Sequence, residues 1–426
     1  MVKIYHFILL FFIVFNFRVP VLHNSIILAL FIMVLALLLN SSYLTSFLSL
    51  IKTKYFFRIL IYLFFLILWT VIFVRLQGTY DYTLLIKFIF HLISIVTLIT
   101  FLSILSCYRY FNSSYIMNLL FSAFALQAII QIMSGINHDF FDFIQFFHNN
   151  SEQALYVMKR HMGLRGGALA GDLFFSLSIA YGLVFFLYIK KIIDTESFSL
   201  KDSLYLILYM IGMFTSARIG YVGIILGFVY FVLAKKVKLR SKLKSFFKFF
   251  IYIVIVVAIV YILLPSNLKE LLFDKLLPYA FEFIYSYMNN GEFATSSTEH
   301  LTKDMFIYPS LLVTWIVGEG RMIGMDGFYY LHTDAGYSRI LFYSGIYGFV
   351  MLLVYQLMFF MQRSNISNNV ILQKNYLKTV FLVIAYILIV NIKGLALGTT
   401  ISINIILILV FSDIRKYTRG LSEWKK

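Results

Sequence analysis

Residues 56–74 read FFRILIYLFFLILWTVIFV, nineteen positions that carry a single charge. A helix needs about 20 predominantly apolar residues to cross the hydrocarbon core of a bilayer. In lipid every backbone N–H and C=O must find its partner within the protein, so such a run is expected to be a spanning helix. The fold class therefore follows from how often runs of this kind recur.

Similar runs recur along the whole chain, which is 61% hydrophobic and only 13% charged. They predict an all-α polytopic membrane protein of about twelve spans, with a single transmembrane domain over residues 1–426. Two helical hairpins are predicted among them, with tight turns at Arg218 and Lys393. The further runs lie near 4–17, 24–39, 84–105, 115–134, 168–189, 203–216, 219–234, 249–264, 339–361, 379–392 and 395–412.

The distribution of Lys and Arg predicts that both termini are cytoplasmic. With that orientation, 23 of the 36 cations lie inside, seven of them between 235 and 248, while 14 of the 19 carboxylates lie outside. The net charge of +17 is thus a topological signal of anchoring on anionic lipid, and nucleic acid is not an expected partner. The run 4–17 follows Lys3 without a small-residue cleavage site, as in a retained signal anchor. One cysteine, Cys107, excludes a disulfide within the chain.

Two long segments interrupt the apolar runs, and we expect both to be outer loops: 135–167 and 265–338. The first contains the cations Arg160 and Arg165 among four glycines, against the trend that places cations inside. Guanidinium groups bind phosphate oxygens in bidentate geometry, and glycines let the backbone approach a ligand. The alternative is a solvated loop whose arginines contact lipid phosphate.

Arg218 lies in the sequence Phe-Thr-Ser-Ala-Arg-Ile-Gly (214–220), at the predicted turn between two short spans. An ionisable residue at membrane depth is a functional hypothesis by default. The competing interpretation is an arginine that reaches the outer headgroups from a helix end.

The second outer segment carries the densest polar residues before a span. Glu319 and Arg321 lie in Gly-Glu-Gly-Arg (318–321), and His332, Asp334 and Arg339 follow within eight residues of one another. A base and a cation at one membrane entry would suit general-base chemistry on a phosphate-linked substrate. A helix cap at Asp334 and an interface anchor at Arg339 are the simpler alternatives.

Several common catalytic motifs are absent from the sequence. There is no phosphate-binding loop with Lys-Ser/Thr, no His-Glu-x-x-His, no Gly-x-Ser-x-Gly and no Asp-x-Asp pair. His300 and His332 are isolated from other metal ligands, so no metal site is predicted. A nucleotide-fuelled or metal-dependent reaction is therefore disfavoured, and no cofactor is expected.

The motifs at 318–321, 333–337 and 345–348 resemble the signature of bacterial O-antigen polymerases and related repeat-unit polymerases of surface polysaccharides. The turn around Arg218 is similar to one shared with O-antigen ligases, and the loop that begins at Arg160 resembles the Arg-rich outer loop of both families. Ligases typically carry a His-Asn motif before the corresponding span, whereas His332 is followed here by Thr333 and Asp334. The sequence is therefore more similar to a polymerase.

This resemblance implies a GT-C-like all-α glycosyltransferase in the bacterial inner membrane, with its site facing the periplasm. Donor and acceptor would both be glycans linked to undecaprenyl diphosphate, and transfer would be metal-independent with inversion. Asp334 or His332 would act as the base, with Glu319 as a third candidate. The implied substrate-binding residues are Arg160, Arg165, Arg218, Arg321, Tyr337 and Arg339.

The sequence leaves other functions open. A ligase would use the same donor with a lipid A–core acceptor, and a flippase would carry the repeat units across the membrane. Flippases usually have a cationic central cavity, whereas the cations here gather at the membrane surfaces. A membrane acyltransferase is the most distant alternative. A chain-length regulator and the flippase are the candidate protein partners, besides the bilayer itself.

Overall fold

The computed structural model describes residues 2–20, 22–108, 110–148, 167–171, 174–195, 198–233, 281–291, 296–361 and 370–412, together with isolated positions between 247 and 278. Arg160, Arg165, most of the cationic run 235–248 and most of the predicted span 249–264 lie outside these residues.

Every predicted span in the described part of the chain corresponds to one or more α-helices. In chain order the helices of these ranges are α1 (Val2–Phe15), α2 (Ser25–Leu39), α3 (Ser41–Ile51), α4 (Lys54–Gln77), α5 (Thr83–Ser106), α6 (Ser113–Ile136), α7 (His138–Gln145), α8 (Phe175–Thr195), α9 (Leu200–Ser216), α10 (Tyr221–Leu233), α11 (Glu282–Asn290), α12 (Ser296–His300), α13 (Leu312–Val317), α14 (Gly336–Met358), α15 (Val370–Val390) and α16 (Ile401–Phe411).

Five helices of the described residues are long and apolar enough to cross a membrane: α4, α5, α6, α8 and α14. The pair α2 and α3 would make a sixth span, although it bends by 115° at a short break. Four further apolar helices of the described chain are shorter, at 10–17 residues: Val2–Phe15, Arg218–Leu233, Tyr376–Val390 and Ile401–Phe411. The all-α, multi-pass fold is thus confirmed, while the count of twelve spans and the cytoplasmic termini stay predictions.

Contacts between loops define the two ends of the bundle. At one end the Thr79 hydroxyl donates to the Gly320 carbonyl at 2.7 Å, and the Ser134 hydroxyl donates to the Gly167 carbonyl at 2.8 Å. All four residues lie in or beside segments that the charge pattern places outside. This end of the bundle is called the outer end below.

The opposite end is defined by polar contacts of a different set of residues. The Tyr43 and Tyr108 hydroxyls are hydrogen-bonded at 3.0 Å, and the Lys191 ammonium donates to the Asn118 side chain at 3.1 Å. The charge pattern places these positions at the cytoplasmic surface. Loops that the charge pattern assigns to the same side thus contact one another, while the choice of the cytoplasmic side stays a prediction.

Helix α14 is broken near the outer end, at Gly345, where φ is 61° and ψ is −162°. The segment that follows α13 packs across this break. The Glu319 amide donates to the Phe342 carbonyl at 2.6 Å, and the Gly320 amide donates to the Tyr343 carbonyl at 2.8 Å. Two carbonyls that a continuous helix would have satisfied are thus satisfied by another part of the chain.

The break bends α14 sharply, so its first part leaves the axis of its second part. The rings of Tyr337 and Phe349 lie 5.9 Å apart, although twelve residues of straight helix would separate them by about 18 Å. We call residues 336–344 α14a and residues 346–358 α14b. The sequence predicts one continuous span over 339–361, but only α14b continues as a helix alongside α4. The break was not predicted from the sequence. It is stabilised by the backbone at Gly318, which packs closely against the backbone of Tyr343 and Ser344.

The turn predicted at Lys393 is a longer structure. Residues 391–400 are non-helical and almost entirely buried. The Asn391 side-chain oxygen accepts from the amides of Ala396 and Leu397 at 2.9 and 3.0 Å. Irregular backbone at membrane depth is tolerated only where protein satisfies it, and this asparagine supplies two of the required bonds.

A methyl group at the break in α14 should destabilise the protein. In Gly345→Ala the new Cβ would meet the Ile316 carbonyl oxygen at 2.3 Å, in a backbone conformation that favours glycine. Gly327→Ala is the matched control, because its φ is +80° but nothing lies within 4 Å of an added Cβ. We expect the control to cost about 1 kcal/mol and Gly345→Ala clearly more. Apparent melting temperatures in detergent measure the difference, and equal temperatures would contradict this packing.

Candidate functional site

The candidate site is built where the loop after α4 meets the outer segment that precedes α14. Asp81 connects the two. Its carboxylate accepts from the amides of Met322 and Ile323 at 2.5 and 2.8 Å, and from the Thr83 amide at 3.0 Å. A carboxylate that accepts several backbone N–H bonds is held in a fixed orientation. Asp81 therefore fixes residues 322–323 of the outer segment against the bundle.

A short hairpin follows and presents two aromatic rings. An isolated antiparallel bridge pairs Ile323 with Tyr329, and the Tyr330 amide donates to the Met322 carbonyl at 3.1 Å. The turn contains Gly327 at φ +80°, a conformation that glycine adopts without strain. The hairpin places Tyr329 and Tyr330 next to the beginning of α14a.

Arg339 is the most distinctive residue of this site. Its side chain is buried, with 7% of its surface exposed, and its guanidinium carbon lies 3.6 Å from the centre of the Tyr329 ring. Within the described residues no carboxylate lies at ion-pair distance from it, and its Nε has no hydrogen-bond partner. Asp81 and Asp334 interact with it electrostatically from further away. A buried guanidinium without an ion pair is costly and retains donor capacity for an anion.

Glu319 and Arg321 both interact with Tyr330. The Tyr330 hydroxyl donates to the Glu319 carboxylate at 2.7 Å, and the Arg321 guanidinium lies 5.9 Å from the Tyr330 ring centre. The hydrogen bond to Glu319 raises the pKa of Tyr330, with burial as the second cause. The Thr314 hydroxyl also donates to Glu319, at 3.2 Å. Both carboxylate oxygens of Glu319 thus hold structural bonds, which favours a supporting role over that of a base.

Asp334 lies between the hairpin and α14a, and it is exposed. It has no hydrogen bond to any residue in the described ranges, and the residue at the helix N-cap is Ala335. The Thr333 hydroxyl, by contrast, donates to the Met305 carbonyl at 2.6 Å and accepts from the Ala335 amide at 3.2 Å. The capping role considered for Asp334 from the sequence is therefore taken by Thr333, which leaves the Asp334 carboxylate available.

His332 is paired with a carboxylate of the hairpin turn. Its Nε2 lies 3.2 Å from the Asp326 carboxylate, and both side chains are largely exposed. Its φ of 53° is unusual for a non-glycine residue. Its imidazole is thus engaged by Asp326 of the hairpin turn.

The structure places the remaining predicted residues away from this cluster. Arg218 lies in a one-turn 3-10 helix, Arg218–Gly220, and forms an ion pair with Glu282 of α11. The Tyr337 hydroxyl donates to the Leu388 carbonyl at 2.8 Å and so is directed at α15. Glu319, Arg321, Asp334 and Arg339 come together, whereas Arg218 and Tyr337 do not join them.

Two residues of the site were not singled out from the sequence. Asp81 lies in the short polar gap between two apolar runs, where a lone carboxylate at the outer end was the only signal. Tyr329 follows Phe328 in an aromatic stretch that resembles the rest of the chain. Its place over Arg339 depends on the hairpin, which sequence spacing does not reveal.

The described residues contain no group of three side chains that could hold a metal ion. Comparison of the chain with models of protein families, with curated proteins and with solved structures gave no match. The chemistry of the site must therefore be inferred from its own residues.

Removing the Asp81 carboxylate should loosen the site. In Asp81→Ala three backbone amides lose their acceptor, at a cost of about 1 kcal/mol or more for each that stays buried. We expect faster hydrogen–deuterium exchange at residues 318–332 and a lower melting temperature. Asp304→Ala is the control, because Asp304 is exposed and, among the described residues, is paired only with His300 across one helical turn. Equal exchange in the two variants would show that Asp81 does not hold the segment.

Proposed function

We propose that this protein polymerises lipid-linked oligosaccharide repeat units at the outer surface of a bacterial inner membrane. The growing chain would be transferred from undecaprenyl diphosphate to a sugar hydroxyl of the incoming unit. The proposal joins the resemblance of the motifs at 318–321, 333–337 and 345–348 with the site described above.

The observation that carries the proposal is the buried guanidinium of Arg339, which has no ion pair among the described residues. It lies in the first turns of α14a, where the positive end of the helix dipole also favours an anion. A diphosphate bound there would supply the missing negative charge. The leaving diphosphate gains charge as the glycosidic bond breaks, so the same contact would stabilise the transition state.

The exposed Asp334 is our candidate for the general base. The acceptor hydroxyl would lose its proton to the Asp334 carboxylate as its oxygen attacks the anomeric carbon. The bond from that carbon to the diphosphate oxygen would break, and the undecaprenyl diphosphate would leave with the bonding electrons. Asp334 and Arg339 are five positions apart and interact electrostatically, which supports a shared role as base and cation.

Exposed cations around this site would act in binding. Arg321 is exposed next to Tyr330 and could contact a phosphate or sugar oxygen. Arg218 is paired with Glu282, so a direct contact with the diphosphate would require that pair to open. Arg218 is therefore a weaker candidate than it is on sequence grounds, and His332 is a weaker base than Asp334.

The decisive experiment is a gel profile of surface lipopolysaccharide from a deletion strain with a plasmid-complemented control. Core carrying one repeat unit, restored to a ladder by the plasmid, would support a polymerase. Bare core would exclude a simple polymerase and favour a ligase or a flippase. Polymer that accumulates on the lipid carrier would then identify the ligase.

Arg339 should not tolerate lysine. An ammonium cannot reproduce the contact of the planar guanidinium with the Tyr329 ring or the fork of donors that a diphosphate requires. We expect Arg339→Lys to lower chain extension at least tenfold, in line with a loss of about 1.4 kcal/mol or more of transition-state stabilisation. Arg75→Lys is the matched control, an exposed arginine of the outer end whose guanidinium carbon lies 5.3 Å from the Tyr80 ring centre. Normal ladders in Arg339→Lys at equal protein level would remove it from the site.

Asp334→Asn should keep the protein level and lose chain extension. The amide is nearly isosteric but cannot accept the proton, and loss of a general base commonly costs about 10²–10⁴-fold in rate. Asp304→Asn, an exposed carboxylate of the same segment, should extend chains normally. Full activity of Asp334→Asn would transfer the role to His332 or refute the base.

A further inference from the structure

A group of buried polar side chains lies inside the bundle, apart from the outer site. His91 of α5, Gln356 of α14b and Asn404 of α16 are 2%, 2% and 3% exposed. Polar groups in a membrane interior are costly unless they are hydrogen-bonded, and an ionisable one is a functional hypothesis by default. The group joins three helices to the non-helical segment 391–400.

The three side chains and two backbone groups form a closed circuit of hydrogen bonds. The Gly398 amide donates to Gln356 Oε1 at 2.8 Å, and Gln356 Nε2 donates to Asn404 Oδ1 at 3.2 Å. Asn404 Nδ2 lies 3.2 Å from His91 Nδ1, and His91 Nε2 lies 3.0 Å from the Thr399 carbonyl oxygen. The circuit thus begins and ends at neighbouring residues of the same segment.

The two backbone groups fix the direction of every bond in the circuit. A backbone N–H can only donate, so the Gln356 atom facing Gly398 is its oxygen, and its nitrogen faces Asn404. The Asn404 nitrogen then faces His91, whose Nδ1 must accept. A backbone C=O can only accept, so His91 Nε2 carries the proton that is given to Thr399. His91 is therefore neutral, with its single proton on Nε2.

We propose that His91 is a positioning residue, which holds the 391–400 segment in place through this directional circuit. That segment supports the start of α14a: a Cβ added to Gly336 would meet the carbonyl oxygens of Asn391 and Gly394 at 2.4 and 2.6 Å. Arg339 follows three residues later. The effect on segment 391–400 stands by itself, whereas an effect on catalysis rests on the proposed function.

The substitution Asn404→Asp reverses the direction of the hydrogen bond to His91 and keeps the circuit closed. In Asn404→Asp one carboxylate oxygen still accepts from Gln356 Nε2. The other would face His91 Nδ1, and the bond between them needs a proton. Because imidazole is a stronger base than a carboxylate, we expect that proton on Nδ1, which then donates. His91 becomes an imidazolium paired with the carboxylate, and its bond to Thr399 is unchanged. Asn404→Leu is of similar size and breaks both bonds.

The neighbours of His91 sharpen this expectation. Lys87 lies one turn earlier on α5, and its positive charge disfavours an imidazolium at His91. The Tyr355 ring is stacked at 6.3 Å and contributes no charge as a neutral phenol. The carboxylate of Asn404→Asp is thus the feature that would permit the imidazolium.

Nitrogen-15 NMR of the full chain with labelled histidine tests the circuit directly. Among the signals of the neutral histidines in the wild type, we expect one from an Nε2–H tautomer that disappears in His91→Gln. In Asn404→Asp we expect His91 to be doubly protonated. A wild-type His91 with its proton on Nδ1, or already an imidazolium, would overturn the proposal.

Hydrogen–deuterium exchange tests the positioning role. We expect Asn404→Leu to speed exchange at residues 391–400 by about tenfold, because a buried donor loses its partner, and Asn404→Asp to leave it near the wild-type rate. Gln131→Leu is the control: it removes buried bonds to Ser216 and Tyr181 in a separate network, so 391–400 should be unaffected. Equal rates in the two Asn404 variants would refute the role of the circuit.

Polysaccharide profiles of the same variants separate this proposal from the proposed function. If both hold, Asn404→Asp retains chain extension and Asn404→Leu loses it. If the wild type makes no polymer, the proposed function fails while the NMR and exchange results still decide the circuit. Lost extension in Asn404→Asp with normal exchange would refute the link to catalysis alone.

Discussion

The need to satisfy backbone groups away from water governs the irregular parts of this protein. Helices meet this need by themselves, but the chain leaves the helical path at 391–400 and at Gly345. In each place specific partners supply the missing bonds: Asn391 and Gln356 in the first, and the amides of Glu319 and Gly320 in the second. The outer site lies next to both of these places.

This arrangement explains how a short helix can be held sideways at the outer end. The break at Gly345 bends α14a away from the axis of α14b, and the segment 391–400 supports its beginning. Arg339 is thereby buried close to the surface, under the ring of Tyr329. A guanidinium so placed is desolvated before any ligand arrives, which strengthens its interaction with an incoming anion.

The polar groups of the structure divide into two classes by what they contact. Asp81, Glu319, Gln356 and Asn404 use their oxygens on named protein donors, so they maintain the structure. Asp334 has no hydrogen bond in the described ranges, and Arg339 lacks an ion pair there. Groups left with unused hydrogen-bonding or charge capacity are those that a substrate can engage, and this contrast underlies the proposed function.

The sequence by itself determined the all-α membrane fold, the approximate positions of the apolar helices and the segment that holds Glu319, Arg321, Asp334 and Arg339. The length of an apolar run and the placement of cations are local signals, so both can be recognised in the sequence without knowledge of tertiary contacts. Only the tertiary structure decided that Arg218 is paired with Glu282, that Tyr329 covers Arg339, and that Asp81 and His91 hold distant segments. Those contacts join residues far apart in sequence, and their partners are set by how helices and loops pack rather than by spacing along the chain.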